Sequence, residues 1–349
     1  MTNIELIDAL SERGALELNE WTQLLSEPAE QEREYAADRA RAIAQREFGR
    51  NIYIRGIIEF TSYCRNDCLY CGLRRSNARA QRYRLDAEEI MECCAEGYEA
   101  GFRTFVLQGG EDAYFDDDRM CALVRAIRVT YPDCAITLSL GERSAESYRR
   151  LRDAGADRYL LRHESASPEH YARLHPPAQR LDSRMRCLDE LKRLGYQTGC
   201  GCMVGSPYQT AAELAQDMAF MSAFKPEMIG IGPFIPHKDT PFGVYPAGSV
   251  ELTLFMLSLC RIMLPRVLLP ATTALGTLDG SGRKRGVLAG ANVIMPNLSP
   301  RAVRRKYLLY DNKSITGDDA AESIELLRGH MADIGYNLVL GRGDYSPSR

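Results

Sequence analysis

Short apolar runs alternate with amphipathic stretches between residues 51 and 295, and the alternation repeats about eight times. The short runs predict buried strands, and stretches with apolar residues three and four positions apart predict helices. Repeated strand–helix units are typical of a parallel sheet that closes into a barrel inside a ring of helices. The predicted strands are NIYIRGIIEF, TFVLQ, CAITLSL, DRYLLRHE, QTGCGCMVG, MIGIGPF, VLLPATTAL and ANVIM. The sequence therefore predicts the α/β class and a (β/α)8 barrel of the TIM type.

The segments that flank this region predict three parts of the chain. Residues 1–50 have helical periodicity and are expected to form an N-terminal helical extension. Residues 51–310 are assigned to the barrel. Residues 311–349 hold a last predicted helix and a polar tail, which are expected to close the barrel.

Charge and hydropathy exclude several classes of protein. The net charge is -3 and the pI is about 6.1, which argues against binding to nucleic acid. No apolar run reaches the roughly 18 residues that a membrane span needs. The first twenty residues are acidic and amphipathic, unlike a signal or transit peptide, so we expect a cytoplasmic protein without membrane contact.

Three of the eleven cysteines are clustered in TSYCRNDCLYCGLRR, directly after the first predicted strand. Cys64, Cys68 and Cys71 have the spacing C-x3-C-x2-C. Three thiolates on one short loop can bind three irons of a 4Fe-4S cluster and leave the fourth iron open to a small molecule. A structural zinc site is the alternative, but a closed zinc site needs four ligands, and no further Cys or His is near in sequence.

The cysteine loop, with Tyr70 just before its last cysteine, resembles that of the radical S-adenosylmethionine superfamily. The resemblance implies a radical SAM fold and an open iron that chelates the amino and carboxylate groups of S-adenosylmethionine. It also implies reductive cleavage of this cosubstrate to methionine and a 5′-deoxyadenosyl radical. In such a barrel the site lies at the carboxyl ends of the strands.

The second predicted strand ends in QGGED, which provides the first candidates for binding S-adenosylmethionine. Two adjacent glycines let the backbone approach a ligand closely, and a carboxylate can pair with an ammonium group. The string resembles the GGE motif of the superfamily, although it is also a good turn between a strand and a helix. The candidates are Gln108, Gly109, Gly110 and Glu111.

Polar residues two positions apart end the next two strands, so each pair shares one face. These are Thr137 with Ser139, and Arg162 with Glu164. We interpret Glu164 as the ligand of the ribose hydroxyls and Arg162 as the ligand of the carboxylate. A buried structural Arg–Glu pair is the alternative. Arg184 is a second candidate for the carboxylate, unless it is an ordinary surface arginine.

Other polar or reactive residues carry weaker signals. His163 lies between Arg162 and Glu164, so it is expected to point away from the site and to pack behind the sheet. Cys200 and Cys202 alternate with glycines on the fifth strand and are expected in the core. His237 lies in the loop PFIPHKDTP, and its role stays open.

Eight strings resemble, in order and spacing, the HydE type of FeFe hydrogenase maturase between about residues 50 and 310. They are EFTSYCRNDCLYCGLRR, VLQGGED, ITLSLGE, ADRYLLRHESA, LGYQTGCGCMVGSPYQT, IGIGPFIPHKDTP, LPATTALGT and GANVIMPN. The resemblance implies a role in assembling the 2Fe subcluster of the hydrogenase H-cluster. It implies an anionic iron complex with CO, cyanide and cysteine as substrate, and an electron donor such as ferredoxin or flavodoxin. It also implies transient contact with a tyrosine-cleaving radical maturase and a GTPase scaffold.

Five polar residues are candidates for the substrate site that this resemblance implies. They match positions of the family's internal anion site: Arg55, Thr272, Thr273, Tyr307 and Tyr310. Paired threonines are also common in strands, and two tyrosines three positions apart suit a helix that packs in the core.

The chain departs from some family members at its C-terminal end. The stretch YLLYDNKSITGDDAAESIELL has no cysteine, so a second cluster is not expected and one 4Fe-4S cluster is predicted. Two alternatives stay open. One is a radical mutase or synthase for a small organic substrate, similar to methylornithine synthase or biotin synthase, and the other is a non-catalytic metal-binding module.

Overall fold

The computed structural model describes residues 1–313 and 320–347. The helices are α1 Asn3–Arg13, α2 Leu18–Leu25, α3 Glu30–Phe48, α4 Ala87–Glu99, α5 Asp117–Thr130, α6 Ala145–Asp153, α7 Pro168–Leu174, α8 Leu181–Arg193, α9 Ala211–Phe224, α10 Val250–Met263, α11 Thr273–Leu278, α12 Gly282–Leu288, α13 Arg301–Arg304 and α14 Ala320–Ala332. The strands are β1 Asn51–Ile54, β2 Gly56–Thr61, β3 Thr104–Gly109, β4 Ala135–Ser139, β5 Arg158–Leu160, β6 Gln197–Cys200, β7 Met203–Val204, β8 Met228–Ile229, β9 Gly232–Pro233, β10 Val293–Ile294 and β11 Asn337–Val339.

The strands form a parallel barrel wall with helices outside it. The longest sheet has the order β2-β3-β4-β5-β6-β8, a second has the order β10-β1-β11, and β7 pairs with β9. Single bridges continue the wall between the two larger sheets: Met228 with Leu268, Pro270 with Val293 and Ile57 with Asn297. The predicted α/β barrel architecture is confirmed.

Local backbone chemistry explains three of the differences between the predicted and the observed strands. The first is divided at Arg55, so that β1 and β2 belong to different sheets. The fifth is divided at Gly201, whose φ of +147° disfavours other residues and whose added Cβ would lie 2.1 Å from the Gly230 carbonyl oxygen. The seventh forms only single bridges around Pro270, which has no N–H to donate to a neighbouring strand.

The prediction that Thr272 and Thr273 end the seventh strand is wrong. Thr272 is the N-cap residue of α11, and Thr273 is its first residue. Tyr307 and Tyr310 follow α13, which ends at Arg304, so they do not share a helix. All four residues nevertheless lie at the carboxyl end of the barrel, as described below.

The two ends of the chain cover the outside and the base of the barrel. Helices α1 to α3 pack on one another and on α9 and α10, with Trp21 fully buried. The last strand, β11, pairs with β1. Arg158, at the start of β5, donates to the Arg342 carbonyl at 2.8 Å and to Asp344 at 2.6 Å, which places the tail at the amino ends of the strands. The division into three parts stays a prediction.

In the described ranges, no helix combines the length and the apolar character needed to cross a membrane.

Candidate active site

The three clustered cysteines lie in a loop at the carboxyl end of β2, and each is partly buried. Cys71 N–H donates to the Cys68 carbonyl at 3.4 Å, and the next residue, Gly72, donates to the Leu309 carbonyl at 2.9 Å. The loop therefore folds back on itself and is tied to the chain segment that follows α13.

Arg82 links the two ends of this loop through hydrogen bonds. The Arg82 guanidinium donates to the carbonyls of Ser62, Leu73 and Arg74 at 2.5, 2.9 and 2.7 Å. These carbonyls lie on both sides of the cysteines. Since a guanidinium has five donors in a fixed plane, this contact fixes the entry and the exit of the loop together.

The donor set fits a polynuclear iron–sulfur cluster better than a single zinc ion. Burial and the neighbouring Cys64 thiol raise the pKa of Cys68 to about 12, and burial likewise raises the pKa of Cys71. A bound metal would displace these protons, because a coordinating thiol is deprotonated. The three thiols are not all within 4.8 Å of one another; in the described part of the chain the one set of three ligand atoms that meets this distance is on His163, Cys202 and Asp217. The wider spacing of the cysteines suits ligands of separate irons better than ligands of one ion.

A cavity of about 340 Å³ extends from the cysteine loop into the barrel. Its walls are residues at the carboxyl ends of the strands and in the loops that follow them. Most of the predicted site residues line it: Cys68, Tyr70, Cys71, Gln108, Gly109, Ser139, Arg162, Glu164, Arg184, Thr272, Thr273, Tyr307 and Tyr310.

The rest of the GGE-like motif lies beside this cavity and supports the cysteine loop. A Cβ on Gly110 would lie 2.2 Å from the Tyr63 carbonyl oxygen and 2.7 Å from Cys64 Cβ, so only glycine fits there. The Glu111 carboxylate pairs with Arg65 at 2.9 Å and accepts the Glu142 N–H at 2.9 Å. Glu111 also lines a neighbouring surface cavity of about 390 Å³.

Arg55 and Thr137 are also outside the cavity lining. The buried Arg55 guanidinium contacts Met228 Sδ at 3.0 Å and the Gly343 carbonyl at 3.4 Å, and its Nε has no acceptor among the described residues. Thr137 is buried within β4, and its hydroxyl has no partner within the same ranges. Direct contact of either residue with a ligand stays a prediction.

Glu164 and Arg184 give the cavity wall both signs of charge. Oxygen Oε2 of Glu164 is buried and accepts no hydrogen bond from any described residue. The structural Arg162–Glu164 pair, which was the alternative from the sequence, is therefore not formed through this oxygen. Arg184 donates from Nε to Glu142 at 2.8 Å and from Nη1 to the Arg162 carbonyl at 3.1 Å. Since an unsatisfied buried acceptor is costly, Glu164 Oε2 fits a ligand that carries hydroxyl donors, as the ribose of S-adenosylmethionine does.

Sequence reasoning missed a histidine that positions Tyr70. Tyr70 hydroxyl lies 3.2 Å from His175 Nε2, while His175 Nδ1 donates to the Tyr171 carbonyl at 3.0 Å. Burial, and then the Arg184 guanidinium, lower the pKa of His175 to about 3. The imidazole is therefore neutral at physiological pH, and its Nε2 accepts a hydrogen bond from the Tyr70 hydroxyl. His175 lies in a loop far from the cysteines in sequence, so no motif indicated its contact with Tyr70.

A buried ion pair in the cavity wall was also missed. Lys313 Nζ contacts the Glu59 carboxylate and donates to the Tyr307 carbonyl at 3.2 Å. Asn297 donates to the other oxygen of Glu59 at 2.7 Å. The one available signal was Glu59 itself, a charged residue inside the apolar strand GIIEFT.

Comparison with known proteins gives one family model and several relatives. The model described as Radical SAM superfamily matches residues 58–221. The FeFe hydrogenase maturase subunit HydE of Thermotoga maritima is 47% identical over 271 residues, which cover 78% of this chain and 77% of the relative. The 3-methylornithine synthase of Methanosarcina barkeri is 29% identical over 306 residues, which cover 87% and 86% of the two chains.

Solved structures with the same fold cover nearly the whole chain. A methylornithine synthase superimposes with a TM-score of 0.83 and 26% identity, over 96% of this chain and 97% of the other. HydG, described as a maturase of the FeFe hydrogenase, superimposes with a TM-score of 0.79 and 19% identity, over 97% of this chain and 76% of the other. The second likeness concerns the fold alone.

Proposed function

Because this chain belongs to the HydE family of radical S-adenosylmethionine enzymes, which are maturases of FeFe hydrogenase, we propose that its cavity binds a small anionic iron complex during assembly of the H-cluster. The proposed substrate carries CO, cyanide and cysteine, and the proposed product serves the 2Fe subcluster. One observation carries the proposal: a single cavity joins the three-cysteine loop to a wall of hydroxyl groups and cations.

The cysteine loop and a first group of residues in the cavity wall are proposed to hold the cofactors. Cys64, Cys68 and Cys71 would bind one 4Fe-4S cluster, and Glu164 and Arg184 would orient S-adenosylmethionine beside it. When bound, the cluster and the cosubstrate would supply a reductively generated 5′-deoxyadenosyl radical. The chain's part is to hold the cosubstrate in one orientation and to keep water away, which suits a cavity enclosed by the barrel.

A second group of residues in the cavity wall is proposed to bind the iron complex. Thr272 Oγ1 is buried and has no hydrogen-bond partner in the described ranges. Burial raises the pKa of Tyr310 to about 12, so its phenol stays protonated and can donate at neutral pH. Lys313 adds an ammonium group, which contacts Glu59 and the Tyr307 carbonyl and has a third N–H to donate. Hydroxyl and ammonium donors can hold an anionic complex without supplying a thiolate that would compete for its iron.

The proposed partners follow from this chemistry. A protein such as ferredoxin or flavodoxin would supply electrons, and the iron complex would pass between this enzyme, a tyrosine-cleaving radical maturase and a GTPase scaffold. The family relation supports a place among the hydrogenase maturation proteins. A cytoplasmic location is part of the same proposal.

Thr272→Val is expected to lower hydrogenase activation more than it lowers cleavage of S-adenosylmethionine. Valine keeps the shape of threonine but removes the hydroxyl that has no partner in the cavity. Loss of one hydrogen bond to a charged ligand costs roughly 1.5–3 kcal/mol, which is about ten- to hundred-fold in affinity. Both activities are measured on the same anaerobic preparation, at limiting concentration of the iron complex.

Thr130→Val is the matched control, because Thr130 is an exposed residue of α5 that donates only to the Ala126 carbonyl at 2.9 Å. Equal activation by the two variants would contradict the proposed substrate site. If methylornithine formed from lysine, or if hydrogenase matured fully without this enzyme, the maturase function itself would be wrong.

A further inference from the structure

Glu164 has a backbone conformation that its surroundings must enforce. Its φ is +64°, in the left-handed region that residues with a Cβ rarely adopt. Such a conformation is strained and persists only where neighbouring contacts determine it. In this conformation the buried Oε2 is left without a protein donor among the described residues, and the side chain lines the cavity.

The contacts that enforce this conformation converge on one aspartate of α9. Asp217 Oδ1 lies 3.2 Å from His163 Nε2 and accepts the Ala166 N–H at 2.6 Å. These two partners stand on either side of Glu164 in the chain. One carboxylate oxygen therefore holds both flanks of the strained residue.

The histidine connects this aspartate to Gly201, which lies between β6 and β7. His163 Nδ1 accepts the Gly201 N–H at 3.2 Å, and the Gly201 carbonyl accepts the Glu164 N–H at 3.0 Å. Because Nδ1 accepts, Nε2 carries the ring proton and donates it to Asp217. The ring also packs edge-on against Phe220 of α9, at 4.8 Å between centroids. Helix, histidine and strand thus form one connected support behind Glu164.

His163 and Asp217 are not the residues that would stabilise the fold best at these positions. The His163 and Asp217 side chains are fully buried, and Asp217 Oδ2 has no hydrogen-bond partner in the described part of the chain. A buried carboxylate with an unsatisfied oxygen is costly, and apolar residues of similar size often stabilise a core better. The pair therefore needs a role that packing does not provide.

A metal site does not explain the pair. Cys202 is the third member of the set whose ligand atoms lie within 4.8 Å of one another, and all three residues are buried. A closed zinc site needs four ligands, and a histidine ligand must offer an unprotonated nitrogen. Here Nδ1 already accepts from Gly201, and Nε2 carries the proton.

We propose that Asp217 and His163 are positioning residues that hold Glu164 in the conformation that aims its carboxylate into the cavity, where it binds S-adenosylmethionine. The inference rests on the proposed function, because it takes Glu164 as a ligand of that cosubstrate. Asp217 and His163 touch neither cosubstrate nor substrate and act through Glu164.

The test measures the dissociation constant of S-adenosylmethionine for the holoenzyme, by anaerobic equilibrium dialysis. Glu164→Ala and Asp217→Ala are each expected to weaken binding about ten- to hundred-fold, the effect of losing a charged hydrogen bond. Asp217→Asn keeps an oxygen that accepts from both His163 and Ala166, so binding is expected to stay within about threefold of wild type. The double variant Asp217→Ala/Glu164→Ala is expected to bind no more weakly than Glu164→Ala alone, because residues that act through one contact are not additive.

Ser222→Ala is the matched control, since it removes a buried hydroxyl of the same helix that donates to the Gly14 carbonyl at 3.0 Å, away from the cavity. It is expected to keep wild-type affinity, even if the thermal midpoint falls. Iron content and thermal midpoint are measured for every variant. If Asp217→Ala does not fold, His163→Phe, which keeps a ring against Phe220, is expected to give the same loss of affinity.

Each contrary outcome has its own meaning. The positioning role would be overturned if Asp217→Ala and His163→Phe had wild-type affinity, or if the losses in the double variant were additive. Glu164 would then still be a ligand of S-adenosylmethionine. Wild-type affinity in Glu164→Ala would remove the proposed function of that carboxylate, and the inference with it. Stoichiometric zinc that is lost in Asp217→Ala would show a metal site instead.

Discussion

Replacing Cys64, Cys68 or Cys71 by serine is expected to reduce the iron content of anaerobically reconstituted protein from about 4 per chain to background. Each thiolate would hold one iron of a single cubane, and a serine hydroxyl is a poor replacement for a soft sulfur ligand. Cleavage of S-adenosylmethionine is expected to fall to background in the same variants. Iron analysis and the yield of 5′-deoxyadenosine check the two expectations.

Cys187→Ser provides the matched control for these replacements. Cys187 is another partly buried cysteine, and its thiol lies 3.7 Å from the Arg143 carbonyl, a partner that a serine hydroxyl also suits. This variant is expected to keep about 4 irons per chain. Retention of iron by the loop variants, or a zinc-loaded protein without iron, would contradict the cluster assignment. A wild-type content near eight irons would contradict the prediction of one cluster.

The parts of the site that were predictable from the sequence depend on local spacing. Cys64, Cys68 and Cys71 belong to one loop, so their spacing already contains the geometry of a shared metal group. Arg162 and Glu164 are two positions apart and both line the cavity, as alternation predicts, although they lie beyond the end of β5 and Glu164 is in the left-handed region. No distant contact had to be known for either prediction.

The details that failed depend on backbone chemistry at single residues. VLLPATTAL has a strand-like composition, but Pro270 interrupts the ladder, and Thr272 becomes the cap of a short helix. QTGCGCMVG is likewise divided at Gly201, because its backbone conformation does not continue a strand. Helix α10 shows why periodicity alone is an incomplete guide, because VELTLFMLSLCRIM is buried on most of its faces and has little amphipathic period.

The residues that were not found depend on contacts between distant parts of the chain. Lys313 contacts Glu59 in the cavity wall, and His175 contacts Tyr70 from a different loop. A pattern within one strand or helix contains no information on such pairs. Arg55 was also a candidate for this wall; its guanidinium lies against Met228 Sδ and the Gly343 carbonyl, and its contact with a ligand stays a prediction.

Gly110→Ala is expected to damage the site severely, although it adds only one methyl group. That methyl carbon would lie 2.2 Å from the Tyr63 carbonyl oxygen and 2.7 Å from Cys64 Cβ, distances that non-bonded atoms do not tolerate. Neither atom is the end of a flexible side chain, so the cysteine loop itself must move. Overpacking costs typically 1–3 kcal/mol, and a displacement of about 1 Å at reacting groups can cost about a hundred-fold in rate. Iron content and the rate of S-adenosylmethionine cleavage are the measurements.

Gly329→Ala separates this steric effect from the general effect of replacing glycine. Gly329 is an exposed residue of α14, and a Cβ there meets no atom within 4 Å. Alanine favours a helix over glycine by about 1 kcal/mol, so the control is expected to keep wild-type iron and cleavage and to gain slightly in stability. If Gly110→Ala matched this control in both measurements, the close packing of the QGGED turn against the cysteine loop would have no part in holding the cluster and its cosubstrate together.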